Sequence, residues 1–150
     1  FAEEMEPHAL SLVGPGSTTQ ALLSVLGVQG SLLGVDAVRG DGTLLARAAT
    51  RGELEALAER WPGPPHLVLS PIGGQGLVLG RGNQQISPRL LRAAGRQGLH
   101  VLAAPDKLRS LHGGVLRMDS GDPGLDMEFD GYLAVVTGHR ERTMWPIATQ

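Results

Sequence analysis

Between Ser70 and Pro88 the chain reads Ser-Pro-Ile-Gly-Gly-Gln-Gly-Leu-Val-Leu-Gly-Arg-Gly-Asn-Gln-Gln-Ile-Ser-Pro. Five glycines, one arginine, one asparagine and three glutamines share this stretch. Glycine allows positive φ and lets a ligand come close to main-chain amides. Arg81 offers a planar fork of donors that suits phosphate or carboxylate. Asn83, Gln84 and Gln85 add donors and acceptors without charge. Long structureless loops are uncommon in compact domains and are often functional. We therefore expect the wall of a polar site for a small phosphate-bearing ligand, with Gly73, Gly74, Gln75, Gly76, Arg81, Gly82, Asn83 and Gln84 as binding residues.

A second glycine bend, Gly14-Pro15-Gly16-Ser17-Thr18-Thr19, stands where an apolar run gives way to a helical pattern. The first-turn amides of a helix point outward, and the helix dipole favours an anion there. Three hydroxyls exceed the needs of a cap. Gly14, Gly16, Ser17, Thr18 and Thr19 are thus candidate phosphate ligands. The bend is not a Walker A loop, since no lysine follows the second glycine. Asp36 ends an apolar stretch and is a further candidate cofactor ligand, and Asp119, Asp122 and Asp126 cluster further on. Beside a phosphate, Asp119 and Asp122 could hold Mg²⁺, which binds through one or two carboxylates plus phosphate oxygens. The plainer reading of Asp119-Ser-Gly-Asp-Pro-Gly124 is an Asp/Gly turn. Lys107 would face the same edge or be solvated. The five histidines show no metal-ligand spacing and are assigned to structure, and Arg39, Arg51 and Arg60 to a solvated surface. No G-x-S-x-G elbow or Ser-His-Asp arrangement declares a nucleophile. Chemistry by positioning and electrostatics, as in phosphoryl transfer, is compatible with that.

These segments need a scaffold. Residues 9–13 read as a strand and 18–26 as a helix with a Ser/Thr cap. Residues 31–38 and 43–49 read as a hairpin around Arg39-Gly40-Asp41-Gly42. Residues 50–61 form a helix opened by a Thr50/Glu53 capping box. His66 to Leu69 is apolar after its histidine, as a strand covered on both faces should be. Ser87-Pro88 starts a helix that runs to about Arg96. A strand at 99–103 and a short helix or turn at 105–108 follow. Residues 115–118, 125–129, 132–137 and 143–147 read as short strands. Strands alternating with helices predict an α/β fold, a largely parallel Rossmann-like sheet with helices on both faces and short antiparallel strands at the C-terminus. The bends at 14–19 and 70–87 and the segment 104–107 all follow strands. Ligands of such sheets bind beyond the carboxyl ends of the strands.

At 150 residues with 41% hydrophobic residues the chain suits a single domain with a sizeable core. Only 3% of residues are aromatic, so that core is aliphatic. A net charge of −2 without a basic stripe gives no footprint for nucleic acid. No apolar run is long enough to span a membrane and no signal peptide is visible. Cysteine is absent, which excludes disulfides and fits a cytoplasmic protein. Phe1-Ala-Glu-Glu-Met5 reads as the tail of a helix or linker. We expect the C-terminal part of a two-domain protein, with a homodimer as a further option for the glycine loop.

Six motifs occur in order: Gly14-Pro-Gly-Ser-Thr-Thr19, Leu33-Gly-Val-Asp36, Pro71-Ile-Gly-Gly-Gln-Gly76, Gly80-Arg-Gly-Asn-Gln-Gln-Ile-Ser-Pro88, Pro105-x-Lys-Leu108 and Arg117-x-Asp-Ser-Gly-Asp122. Together they resemble the C-terminal half of the predicted ATP- or polyphosphate-dependent NAD kinases of the AcoX-like type. The resemblance implies NAD and ATP or polyphosphate as ligands, Mg²⁺, and an N-terminal domain with a Gly-Gly-Asp-Gly-Thr nucleotide loop. Gly40-Asp-Gly-Thr43 looks like that loop but sits in the hairpin turn. The resemblance also implies an acidic Asp-x-x-Glu after the hairpin, whereas Ala48 to Arg51 supplies no carboxylate. Familiar NAD kinases have a mostly β C-terminal domain. The strand–Gly-x-Gly-Ser-Thr–helix opening is instead similar to sugar-phosphate isomerase folds, which makes a phosphosugar-binding domain the alternative reading. On the first reading Ser17, Thr18, Thr19 and Arg81 hold phosphate, and Asn83 and Gln84 bond ribose or base.

Overall fold

Alternation of side chains along the central strands sorts the apolar residues into two layers. Strand β1 (Leu10–Val13) turns Leu10 and Leu12 to one face and Val13 to the other. Strand β4 (His66–Leu69) divides Leu67 and Leu69 from Val68, and β6 (Leu99–Leu102) divides Leu99 and Val101 from Leu102. This is the period-two rule for strands covered on both faces. The computed structural model describes residues 1–80 and 82–149.

Helix α1 (Ser17–Val25) covers the smaller layer with Leu22 and Leu23. The larger layer is covered by α2 (Arg51–Arg60), α3 (Pro88–Ala94), α4 (Pro105–Arg109) and α5 (Pro123–Met127), through Leu54, Leu90, Leu91, Leu108 and Leu125. Each fully buried aliphatic side chain of this kind contributes about 1.5–3 kcal/mol of transfer free energy. The remaining strands are β2 (Asp36–Arg39), β3 (Leu44–Ala46), β5 (Leu77–Leu79), β7 (Leu116–Met118), β8 (Gly131–Gly138) and β9 (Glu141–Thr149). The nine-stranded sheet runs β3-β2-β1-β4-β6-β8-β9-β7-β5. Strands β1, β4, β6 and β8 are mutually parallel, while β2 and β9 are antiparallel to β1 and β8. The expected α/β class with a largely parallel sheet and helices on both faces is what forms. The helices are unevenly shared because β1, β4, β6 and β8 advance in one direction, and right-handed crossovers then place their helices on one side.

Local signals explain several boundaries. In α2 the Thr50 hydroxyl accepts from the Glu53 amide while the Glu53 carboxylate accepts from the Thr50 amide. In α3 Ser87 caps the Leu90 amide and Pro88 occupies the first turn. Three expectations fail. Residues 31–35 are not strand, because this segment wraps the Asp36 carboxylate instead. The glycine-rich stretch is not structureless, since Leu77-Val78-Leu79 pairs in parallel with β7. Residues 125–129 are not a strand, since Asp122 caps Leu125 and Pro123 opens α5.

The α1 face of the sheet also carries a histidine pair. His66 Nδ1 and His100 Nε2 lie 3.0 Å apart, so one donates and the other accepts. Burial, then His66, then Arg142 lower the His100 pKa to about 4. The unfolded chain, with an ordinary imidazole value near 6.5, takes up its proton first as pH falls. Stability present above about pH 6.5 is therefore lost as pH falls toward 4. Urea unfolding at pH 7 and pH 4 should show wild type losing about 1–2 kcal/mol more than His100→Gln, a figure reduced for partial solvent screening. Equal losses would remove His100 from the acid response.

Candidate functional site

Strand β5 explains how the glycine segment is held. Its partner β7 delivers the next residues alongside it: Arg117 N–H donates to Gly76 O at 2.9 Å and Asp119 N–H to Leu79 O at 3.0 Å. Asp119, Ser120 and Gly121 are thereby brought beside Gly80. On the other flank, Arg51 at the start of α2 donates through Nη2 to Gln84 O at 2.7 Å. Between them opens a cavity of about 940 Å³. Its wall includes Gly73, Gly74, Gln75, Gly82, Gln84 and Asp119, above a floor of Ile72, Leu77, Leu79 and Ile86.

The 73–75 wall has a distinctive polarity. Lys107 Nζ donates to Gly73 O at 3.0 Å, and the His112 amide donates to Gly74 O at 3.0 Å. Both carbonyls are engaged with the α4 region. Among the described residues, nothing accepts from the amides of Gly73, Gly74 and Gln75. Successive unpaired amides are the elements of an anion-binding nest. Lys107 acts here on the loop, not on the cavity wall.

Several expected ligands have other tasks. Asn83 is buried; its Oδ1 accepts from the Gly80 amide and its Nδ2 donates to Val78 O, both at 2.9 Å. It closes the loop from within. Gly76 is also buried, with φ +72° and its α-carbon turned toward Leu111 and the Val115 carbonyl. Asp36 is fully buried, and its carboxylate accepts from Ser31 N, Ser31 Oγ and Ala48 N at 2.7–2.8 Å. It ties two loops together. Asp122 caps α5 and pairs with Arg92 at 3.1 Å, which withdraws it from the suggested metal pair. Among the described residues no group of three or more His, Cys, Asp or Glu side chains is placed to hold a metal ion.

The bend at 14–19 stands next to the cavity without lining it. A Cβ on Gly14 would lie 2.9 Å from Leu69 Cδ2 and 4.0 Å from Asn83 Nδ2, while Gly16 has φ +128° and would set a Cβ 3.8 Å from Ser70 Cβ. Glycine at 14 and 16 thus lets the ends of β1 and β4 close on the loop that Asn83 organises. The cap of α1 is Gly16 with φ 128°, not a hydroxyl residue. Thr19 is buried and its Oγ1 donates back to the carbonyls of Gly14 and Gly16 at 2.7 and 3.0 Å. Ser17 is exposed, and Thr18 lines a separate groove with Phe1, Leu102 and Val136. Arg81 lies outside the described residues.

Arg51 was not expected at the site. A cation in the first turn opposes the helix dipole. That mismatch was the available signal, and the solvated position of the residue concealed it.

An α/β sheet with a glycine-walled cavity beside its strand ends defines the class. The chain belongs to the ATP-NAD kinase C-terminal domain family, whose model matches residues 10–147. No curated protein and no solved structure is matched. No helix among the described residues is long and apolar enough to cross a membrane.

Proposed function

We propose that the cavity binds a phosphate-bearing nucleotide, NAD or ATP, and that the domain serves transfer of a phosphoryl group from ATP or polyphosphate to NAD in the cytoplasm. The observation that carries this reading is the run of amides at Gly73, Gly74 and Gln75 on the cavity wall, which have no acceptor among the described residues. Family membership supports it. Gln84 is exposed at the rim, and we assign it to ribose or base. Asp119 fits one Mg²⁺ ligand: a single carboxylate oxygen accepts from Gly121 N–H, and the residue is exposed on the wall. A carboxylate plus phosphate oxygens is how Mg²⁺ is usually held. When bound, the ion would neutralise charge on the transferring phosphoryl group. The full reaction would use the second domain implied by the motifs, with this chain forming one wall of the site.

Thermal unfolding with NAD, ATP, tripolyphosphate and sugar phosphates tests the reading. A ligand at about a hundred times its Kd adds about 2.7 kcal/mol. For a domain of this size that raises Tm by roughly 5–10 °C. NAD or ATP should produce the rise. A response confined to sugar phosphates would replace the nucleotide with a phosphosugar, and silence from every ligand would refute the site.

A further inference from the structure

We propose that Arg51 forms an anion subsite at the α2 end of the cavity, where it takes a phosphoryl group of the bound ligand. The inference rests on the reading of the cavity as a phosphate-ligand site and adds a contact that none of the six motifs contains. Arg51 lines the main cavity and also an adjoining cleft of about 390 Å³ that it shares with Gly82, Gln84 and Gln85. Among the described lining residues of the cavity, Arg51 and Asp119 carry charge.

The Arg51 guanidinium is poorly matched by its own protein. It has five N–H donors. Among the described residues its one hydrogen bond is to the neutral carbonyl of Gln84, and no carboxylate lies within 4.0 Å. Its position in the first turn of α2 adds the wrong sign to that helix end. The capping box serves the Thr50 and Glu53 amides, and a guanidinium, which only donates, can satisfy none of the others, so the arginine adds nothing to the cap. A residue that breaks local rules on a cavity wall is where function is expected to override stability. A phosphoryl group in the adjoining cleft would supply the missing countercharge, and the guanidinium fork matches its oxygens in a bidentate way. That group could come from the phosphate chain of a nucleotide or from inorganic polyphosphate.

Calorimetric titration of the 150-residue chain with ATP, NAD and tripolyphosphate, at low and moderate salt, tests the subsite. Arg51→Gln should weaken ATP or tripolyphosphate binding by about tenfold or more and flatten its salt dependence. Arg51→Lys, which keeps the charge and loses the fork, should fall between. A loss for both ligands assigns the phosphoryl group from either source, and a loss for ATP alone assigns the nucleotide. Unchanged affinity in Arg51→Gln overturns the subsite and leaves the cavity reading standing. So does a loss with unchanged salt dependence, which would mean that Arg51 only holds the Gln84 carbonyl. If wild type binds none of the three, the cavity reading fails and the subsite with it.

Discussion

Asp36→Ala should lower the unfolding free energy by about 3 kcal/mol or more while leaving ligand affinity within a factor of two or three. The carboxylate is fully buried and serves three donors from two loops, two of them main-chain amides. Alanine removes every acceptor at once. Buried amides left unpaired each cost about 1–3 kcal/mol, less whatever water recovers. Gly30 belongs to the same arrangement, since a Cβ there would stand 2.6 Å from Asp36 Oδ2. Asp36→Asn should recover only part of the loss, because its carbonyl oxygen can still accept while its amide nitrogen cannot accept from Ser31 or Ala48. Urea unfolding gives the stability and titration gives the affinity. A stable Asp36→Ala variant that no longer binds nucleotide would return Asp36 to the ligand site and overturn its structural role.

Asp36 also shows where sequence reading stops. Its type and its place after an apolar stretch suit a cofactor ligand, yet its donors lie at Ser31 and Ala48, partners fixed only by the closure of the loops. Asn83 is a similar case. In sequence it is a polar residue amid glycines; in the fold its side chain is absorbed by Val78 and Gly80. Helices were legible where a cap and a proline or capping box marked them, as in α2 and α3. The same signal, Asp122-Pro123, stood before α5 and was outweighed by the apolar residues after it. Strand β5 was hidden because five glycines surround three apolar residues. The meeting of 73–75, 82–84 and 119–121 was legible in part. Glycines and polar residues after strands pointed to one rim. The pairing of β5 with β7, which delivers Asp119, is a long-range contact that no local pattern encodes.

Two glycines two residues apart should respond to substitution in opposite ways, and this contrast tests the wall directly. Gly74 is exposed on the cavity, and a Cβ there meets only the His112 imidazole, at 3.6 Å. Its φ lies outside the range that favours glycine. Gly74→Trp should therefore keep stability within about 1 kcal/mol, helped by the smaller entropy of its unfolded chain. It should weaken ATP and NAD binding by about a hundredfold or more, because a ligand seated on unpaired amides requires bare backbone. Gly76 has φ +72°, and a Cβ there would lie 3.0 Å from Val115 O and 3.2 Å from the Leu111 side chain. Gly76→Ala should cost about 2–3 kcal/mol through backbone strain and overpacking. At temperatures where it remains folded, its affinity should fall far less than that of Gly74→Trp. Unfolding curves and titrations on both variants decide the matter. If Gly74→Trp binds nucleotide as tightly as wild type, the ligand does not lie against the 73–75 amides.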